Sequence, residues 1–444
     1  MSASHSQNRV QPEARAREIQ DCLERVDQQL GIPKHHKMSR SPFIFFRGSA
    51  PLFYQDIASG KLEAPENLLD MPLTTVMGDC HSSNFGFLSE EGSHSSDIIF
   101  SPNDFDDACI GQASWDLIRF SCSLFLCADH CQAISEGRIE AEEGQGKAFV
   151  SQESAELAAL AFVRSYVNSC LSSDSKLYQD GLDKVDEQHF LFKSFNKAKR
   201  RSAKGDDFYR KSAIAKSVDL GASPLHFALR PDRFETLSPE EYDSIHYDLS
   251  PFVDDFILDI VKRLNAGTGS VNMDRYYLLV GPKDANADQL ELCHLVEVKQ
   301  QREAAPIFYF PNLSPNNRLN PAHLTVMCQR RMQRSPDMVL DETEWRDGHW
   351  LIRSRHHARL GFDPQDIALG KKACKGGFSD YASACGKALA LAHCRGDRRS
   401  KLFEQAVQAK LQGHEESIVE AAKSYAAQVV NDCQILNQML SQKS

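Results

Sequence analysis

The sequence predicts an α+β protein with two lobes, one large and helical and one small and built on an antiparallel sheet. At 444 residues, 41% of them hydrophobic, the chain can bury the cores of two lobes. Apolar residues recur at helical intervals over most of its length. Two strand-like runs, 276–280 and 290–299, flank a polar turn and indicate a hairpin within this helical background.

Taken in order, the apolar spacing predicts helices on both sides of the hairpin. The first covers residues 14–30 and ends at Gly31 and Pro33, which stop a helix. A further helix is predicted directly before the hairpin, over residues 251–264. The others are predicted at 114–131, 154–171, 321–333, 381–393 and 402–440, the last as one long amphipathic helix.

Composition argues against several classes of protein. The formal net charge of −10 argues against general affinity for nucleic acid. No run reaches the ~18 apolar residues that a membrane span requires, and the N-terminus lacks a basic-then-apolar signal. The 13 cysteines are scattered without a Cys-x-x-Cys pair, which suits a reducing compartment better than a disulfide framework. We therefore expect a cytoplasmic protein.

Two polar turns, each after a short apolar run, carry the most informative residues. The first, 78–86, contains Asp79 and Asn84, and the second, 103–107, contains Asp104 and Asp106. Such residues are common in ordinary turns. Two such turns in succession, however, supply what phosphoryl transfer requires. These are a carboxylate that orients and deprotonates a hydroxyl, an amide oxygen on Mg²⁺, and a carboxylate that bridges metal and phosphates.

These motifs resemble known families. Gly-Asp-x-His-x-x-Asn followed by Asp-Phe-Asp resembles the catalytic and metal loops of aminoglycoside-phosphotransferase-like kinases. That resemblance implies that Asp79 is the base, that Asn84 binds Mg²⁺ and that Asp104 binds Mg²⁺ and phosphate; Asp106 is also assigned to the metal. A closer resemblance is to the bacterial family catalogued as domain of unknown function 2252. It rests on pieces in order between residues 37 and 393, among them Ser-Pro-Phe-Ile-Phe-Phe-Arg-Gly, both turns, Gly-Thr-Gly-Ser-Val and Gln-Arg-Arg-Met-Gln.

The hairpin and a glycine-rich turn before it predict a nucleotide-binding lobe. Gly267, Gly269 and Ser270 would let backbone N–H groups approach phosphates, and Lys299, at the end of the second strand, would neutralise phosphate charge. The sequence leaves open whether a glutamate at 297 or at 303 pairs with this lysine. In ordinary kinases these parts precede the catalytic turn, whereas here they follow it. The expected fold is therefore kinase-like and circularly permuted, which is admissible because contacts define a fold.

On this basis the chain divides into four parts. Residues 1–36 form an N-terminal helix and linker, and 37–240 form a helix-rich lobe with the catalytic turns. Residues 241–340 form the nucleotide-binding lobe, and 341–444 form a helical part that packs on the catalytic lobe. Arg47, in an aromatic segment of the second part, is predicted either to hold a phosphate or carboxylate or to brace a buried Asp.

We expect an ATP- and Mg²⁺-dependent phosphotransferase that acts on a hydroxyl of an unknown small molecule or protein. One alternative is AMP transfer, which uses the same parts with the nucleotide reversed. A second is a two-metal phosphoesterase, because Gly-Asp-x-His resembles a metal loop of that class. A third is a non-catalytic pseudokinase, motivated by Asn272 and Gln300, where the resembled family usually has Gly and Glu.

Overall fold

A computed structural model describes residues 12–91, 97–171, 181–264, 273–397 and 400–443, and it is α+β. Its helices are α1 (Pro12–Asp27), α2 (Pro33–Met38), α3 (Pro42–Gly48), α4 (Ala50–Ala58), α5 (Ala113–Ser135), α6 (Gln152–Cys170), α7 (Phe192–Lys199), α8 (Phe208–Lys211), α9 (Pro239–Leu249), α10 (Pro321–Met332), α11 (Pro364–Ala368), α12 (Phe378–Gly396), α13 (Leu402–Lys410) and α14 (Glu415–Lys443). Its strands are β1 (Thr74–Val76), β2 (Phe85–Ser89), β3 (Ile98–Pro102), β4 (Cys109–Gly111), β5 (Val218–Asp219), β6 (His226–Phe227), β7 (Phe234–Glu235), β8 (Phe256–Arg263), β9 (Arg275–Gly281), β10 (His294–Gln301), β11 (Leu340–Trp345), β12 (Gly348–Arg355) and β13 (Leu360–Gly361).

One antiparallel sheet dominates the chain between β7 and β12. Its six strands lie in the order β11-β12-β10-β9-β8-β7. The hairpin predicted from the sequence is confirmed as β9 and β10, paired in antiparallel register. The sheet spans 234–355, so it extends beyond the predicted nucleotide-binding part, 241–340, on both sides. Smaller sheets β13-β2-β3 and β1-β4 lie next to the polar turns.

Helix α5 is buried along nearly its whole length. A helix with apolar residues on all its faces belongs inside a core, and α3, α6, α11 and α14 pack against this one, while α12 packs against α6. Helices α6 and α12 come into close contact at Gly386, where a Cβ would collide with the carbonyl oxygen of Phe162. The helices predicted at 114–131, 154–171, 321–333 and 381–393 are confirmed, with ends that differ by a few residues.

The helix predicted over 251–264 is wrong. Residues Ser250–Phe252 form a 3-10 turn, and Phe256–Arg263 form strand β8. An apolar run of this length fits either period, and the β-branched Ile257, Ile260 and Val261 favour a strand once a sheet is available. A register shift between Ile257 and Asp259 accommodates the irregular spacing of the apolar residues.

The long helix predicted over 402–440 is two helices, α13 and α14. Gly413, with φ of +82°, lies between them in the left-handed region that commonly ends a helix. Within the described ranges, no helix is long and apolar enough to cross a membrane. The cysteines are all free thiols, and all are buried except Cys374.

Candidate active site

The first polar turn leaves β1 through a tight bend at Gly78. Gly78 has φ of +74°, and a Cβ at this position would collide with the carbonyl oxygen of Asp107. Glycine alone combines a left-handed backbone with such a close approach to a neighbouring segment. The two polar turns therefore pack backbone against backbone, which fixes their side chains relative to each other.

Asp116 on α5 holds the peptide groups that lead into the first turn. Its Oδ2 accepts a hydrogen bond from the Met77 N–H at 2.7 Å, and its Oδ1 accepts one from the Gly78 N–H at 3.2 Å. His393 Nε2 lies 3.1 Å from Asp116 Oδ2, and the Tyr54 hydroxyl donates to the Gly78 carbonyl oxygen at 2.5 Å. Because these side chains are completely buried, the core itself sets the path of the turn.

Arg119 holds the Asp79 carboxylate in one orientation. Its Nε and Nη2 donate to Asp79 Oδ1 at 3.0 and 2.5 Å, and His81 Nε2 lies 3.5 Å from Asp79 Oδ2. Arg119 is fixed in turn, because Nη2 also donates to the Phe46 carbonyl oxygen at 3.0 Å and the guanidinium lies 4.1 Å from the centre of the Phe46 ring. Burial opposes ionisation of Asp79, but Arg119 and His81 outweigh it and hold the pKa of Asp79 well below its usual range.

The second polar turn follows β3 and presents three carboxylates. The Asp106 N–H donates to Asp104 Oδ1 at 3.3 Å, a local bond that is typical of a turn. Asp107 accepts two parallel hydrogen bonds from Arg302 at 2.9 and 3.0 Å and a third from the Ala305 N–H at 2.7 Å. The Asp107 carboxylate is therefore fixed by structural hydrogen bonds. Asp104 and Asp106 line the cavity described below, and no arginine of the described residues holds either of them by two parallel hydrogen bonds.

Hydrogen bonds join the two turns directly. The Asn103 N–H donates to the Asn84 carbonyl oxygen at 3.1 Å. The side-chain Nδ2 of Asn84 donates to the Asp79 carbonyl oxygen at 2.9 Å, which leaves its amide oxygen available to a ligand. These hydrogen bonds hold the side-chain amide of Asn84 close to the second polar turn and its carboxylates.

Lys299 reaches these turns from strand β10. Its buried amino group lies against the carboxylate of Asp106, and the two groups form an ion pair whenever the amine is protonated. Burial lowers the pKa of Lys299 to about 7; the charge of Asp104 opposes this shift, and the charges of Arg353 and Arg302 add to it. A further anion near this amine would raise its pKa and so favour the protonated form.

Glu297 is not the partner of this lysine, because it is surrounded by arginines. Arg275 and Arg353 donate to its two carboxylate oxygens at 3.0 Å each, and Arg355 lies 3.9 Å away. Burial opposes ionisation of Glu297, yet the three arginines hold its pKa well below the usual range. The other glutamate considered from the sequence, Glu303, is exposed. The question left open by the sequence is thus answered by Asp106.

A cavity of about 340 Å³ lies between the six-stranded sheet and the two polar turns. It brings together six of the predicted site residues, Arg47, Asp79, Asn84, Asp104, Asp106 and Lys299. The other three, Gly267, Gly269 and Ser270, lie outside the described residues. Arg263 and Met273, on either side of that segment, both line the cavity.

The oxygen atoms at the cavity suit a hard cation. Mg²⁺ prefers oxygen ligands and is usually held by one or two carboxylates, waters and substrate phosphates. Asn84 and Asp104 offer such oxygens, and Oδ1 of Asp106 is buried without a hydrogen-bond partner among the described atoms. In the part of the chain that the structure describes, no three His, Cys, Asp or Glu side chains form a metal-ligand group. Asn84, Asp104 and Asp106 offer the small number of protein oxygens that Mg²⁺ takes when waters and phosphates supply the other ligands.

Sequence reasoning missed several arginines at this site, among them Arg119, Arg302 and Arg359. Arg119 follows Asp116 by three positions on α5, so helical spacing already indicated that both side chains face the first turn. Arg302 follows Lys299 by three positions, just past the end of β10, where no strand periodicity indicates its direction. Arg359 also lines the cavity, and nothing in its local sequence marks it.

The comparison with known proteins identifies the family. A family model described as an uncharacterized protein conserved in bacteria (DUF2252) matches residues 25–439. The chain belongs to this family. The DUF2252 match includes both polar turns, the sheet and the helices packed around them. No curated protein and no solved structure matches the chain.

Proposed function

We propose that this DUF2252 protein is an ATP- and Mg²⁺-dependent phosphotransferase with a circularly permuted, kinase-like fold. The observation that carries the proposal is the ion pair between Lys299, from the sheet, and Asp106, from the second polar turn, which are 193 positions apart. Asp79 and Asp104 line the same cavity. Phosphoryl transfer requires that a phosphate-holding lysine, a metal-binding carboxylate and a base share one cleft.

The order of strands supports the nucleotide-binding role of the sheet. Strands β8, β9 and β10 are neighbours, and each pairs antiparallel with the next. In protein kinases a glycine-rich loop covers the phosphates and the lysine lies on the third strand. Lys299 lies on the third strand of this set, and the glycine-rich segment of the sequence connects the first two. Because the set follows the catalytic turns in the chain, the fold that we propose is permuted.

The position of Gln300 favours an active enzyme over a pseudokinase. Side chains alternate along a strand, so Gln300 faces away from the side that carries Lys299. Lys299 and Gln301 line the cavity, whereas Gln300 is paired in register with Trp350 on the neighbouring strand. The substitution at 300 therefore removes no group from the cavity. Asn272 lies outside the described residues.

Asn84, Asp104 and Asp106 would hold the metal ion. Mg²⁺ at this place supplies positive charge to the transferred and leaving phosphate oxygens. Lys299 would then donate to a phosphate oxygen in place of Asp106. The low pKa of Lys299 adds a requirement, because the amine must take up a proton before it can pair with the nucleotide.

Asp79 would orient the acceptor and receive its proton. A bond forms between the acceptor oxygen and the γ-phosphorus, while the bond from that phosphorus to the β,γ-bridging oxygen breaks and its electron pair leaves with ADP. The hydroxyl proton passes to Asp79. Because Arg119 and His81 keep the pKa of Asp79 low, this carboxylate is a weak base. It therefore acts first as an orienting acceptor, and the proton moves late in a loose transition state.

The proposal is tested by following ATP in the presence of protein and Mg²⁺ with phosphorus NMR, with water as the acceptor. We expect slow formation of ADP and phosphate, and a rate at least about 100-fold lower for Asp79→Asn. Asp21→Asn, on the exposed face of α1, is the matched control and should turn over like wild type. Formation of AMP and pyrophosphate would instead indicate nucleotidyl transfer. Absence of Mg²⁺-dependent turnover, or an unchanged rate in Asp79→Asn, would contradict the proposal.

A further inference from the structure

The cavity carries more positive charge than nucleotide binding consumes. Nine lysine and arginine side chains and four aspartates of the described residues line it. Directly behind this lining, Glu297 and Asp27 add two negative charges and Arg119 adds one positive charge, so the excess is four positive charges. Mg²⁺-ATP carries a net charge of about −2, so about two of these charges would remain without a counter-ion after it binds. Because a buried, uncompensated charge is costly, a second anionic group is expected in the same cavity.

The cationic side chains at the two ends of the cavity differ in whether carboxylates of the protein pair with them. At the end near Lys299, arginines surround Glu297, and a triphosphate would lie among them. At the end near Asp79, most cations already have a carboxylate partner. Arg302 is bound to Asp107 at 2.9 Å, and Lys34 is bound to Asp27 at 2.9 Å.

Arg47 is the exception at the Asp79 end. It has no carboxylate partner among the described atoms, and its buried Nε makes no hydrogen bond. Its guanidinium lies 5.7 Å from the centre of the Phe43 ring, and the Phe43 ring lies 6.4 Å from the ring of His81. His81 in turn contacts Asp79 at 3.5 Å. Burial lowers the pKa of His81, Asp79 opposes this shift, and the charge of Arg47 adds to it, which agrees with the proximity of Arg47 and His81.

We propose that the hydroxyl acceptor is itself an anion, whose phosphate or carboxylate group is bound by Arg47 while its hydroxyl reaches Asp79. This inference rests on the proposed function, because it assigns the Asp79 end to the acceptor. The planar guanidinium matches the geometry of both oxyanions and can donate to two of their oxygens at once. A neutral polyol could accept hydrogen bonds from Arg47 but would leave its charge without a counter-ion, and a cationic acceptor would be repelled by the excess charge. The acceptor class is therefore a phosphorylated or carboxylated alcohol.

The experiment uses inorganic phosphate as the probe and the full-length protein. Phosphate is titrated by calorimetry into protein that is saturated with Mg²⁺ and a non-hydrolysable ATP analogue, and again into protein without nucleotide. With nucleotide present, we expect one saturable phosphate site that Arg47→Gln weakens at least about tenfold. Arg359→Gln removes the same charge from the other end of the same cavity, and it should weaken this site less than about threefold. Arg47→Lys keeps the positive charge but cannot donate to two oxygens of one anion in the planar geometry of a guanidinium. The affinity of this variant for phosphate should therefore be intermediate.

The outcomes separate this inference from the proposed function. Equal weakening by Arg47→Gln and Arg359→Gln would show a general charge effect and overturn the inference, as would affinity unchanged in Arg47→Gln. Should the nucleotide analogue fail to bind, the titration without nucleotide still reports whether phosphate affinity depends on Arg47. Failure of the nucleotide analogue to bind would count against the proposed function, whereas the phosphate titration without nucleotide would still test the role of Arg47. Far-ultraviolet circular dichroism checks that each variant is folded, and Arg47→Lys keeps the test open if Arg47→Gln is not.

Discussion

Nucleotide binding should be coupled to uptake of a proton by Lys299. The pKa of Lys299 is about 7 in the protein without ligand, so at pH 8 about nine-tenths of the molecules carry the neutral amine. Only the protonated amine pairs with a phosphate, so a bound triphosphate should raise this pKa towards its ordinary value of about 10. Binding at pH 8 should therefore take up about 0.9 proton per nucleotide through this residue.

Calorimetry in buffers with different ionisation enthalpies, such as HEPES and Tris, measures that number. The slope of the observed enthalpy against the ionisation enthalpy gives the protons taken up, and Lys299→Met should lower this slope by about 0.9. The variant also corrects for protons exchanged by the nucleotide itself. From pH 8 upwards, the Kd of wild type should rise about tenfold per pH unit until the bound amine itself titrates, because each unit reduces the protonated fraction of the free protein about tenfold. A slope shared by wild type and Lys299→Met would refute the reasoning.

Three further predictions concern stability, each measured by unfolding in urea. Gly78→Ala should cost more than about 3 kcal/mol because its Cβ would collide with the Asp107 carbonyl oxygen, whereas Gly60→Ala, at φ +72° in open space, should cost about 1–2 kcal/mol. Glu297→Gln should cost about 3–5 kcal/mol because three arginines lose their buried counter-charge. Between pH 7 and 10, wild type should gain stability relative to Lys299→Met, because the unfolded chain keeps a proton on this amine that the folded protein has lost.

Each of these has a result that would count against it. Equal costs for Gly78→Ala and Gly60→Ala would mean that the two polar turns are not in backbone contact. A loss below about 1 kcal/mol for Glu297→Gln would mean that solvent, not this carboxylate, balances the arginines. A stability difference that stays flat across the pH window would mean that Lys299 titrates normally in the folded protein.

Much of the fold was predictable because local pattern and tertiary structure agree. Helix α5 carries apolar residues on all its faces and lies buried in the core, as such a helix must. The strand-like run 290–299 forms strand β10 from His294 onwards, after a 3-10 turn at Ala287–Leu292. Strand β8 was not predictable, because its apolar residues fit a helix as well as a strand. Pairing with the neighbouring strand β9 makes this segment a strand, and the sequence of the segment itself does not indicate that this partner is present.

The site shows the same division. The polar turns identified the carboxylates and the amide because these residue types follow apolar runs in order. Their partners could not be predicted, since the contacts of Arg119 with Asp79 and of Lys299 with Asp106 depend on how α5 and β10 dock. Glu297 is the clearest case: proximity in sequence suggested that it pairs with Lys299. Because Glu297 and Lys299 lie two positions apart on a strand, alternation places both side chains on the same face. The Glu297 carboxylate is instead hydrogen-bonded by Arg275 and Arg353 from the neighbouring strands.

The central claim is that acidic turns from the first quarter of the chain and a lysine from its second half form one Mg²⁺-dependent nucleotide site. Calorimetric titration of ATP into the full-length protein, with excess Mg²⁺ and with EDTA, tests it most directly. The account predicts saturable binding with Mg²⁺ that is at least about tenfold weaker in EDTA, and a smaller difference in Asp104→Asn. Absence of saturable binding with Mg²⁺, or equal affinity with and without the metal, would contradict it.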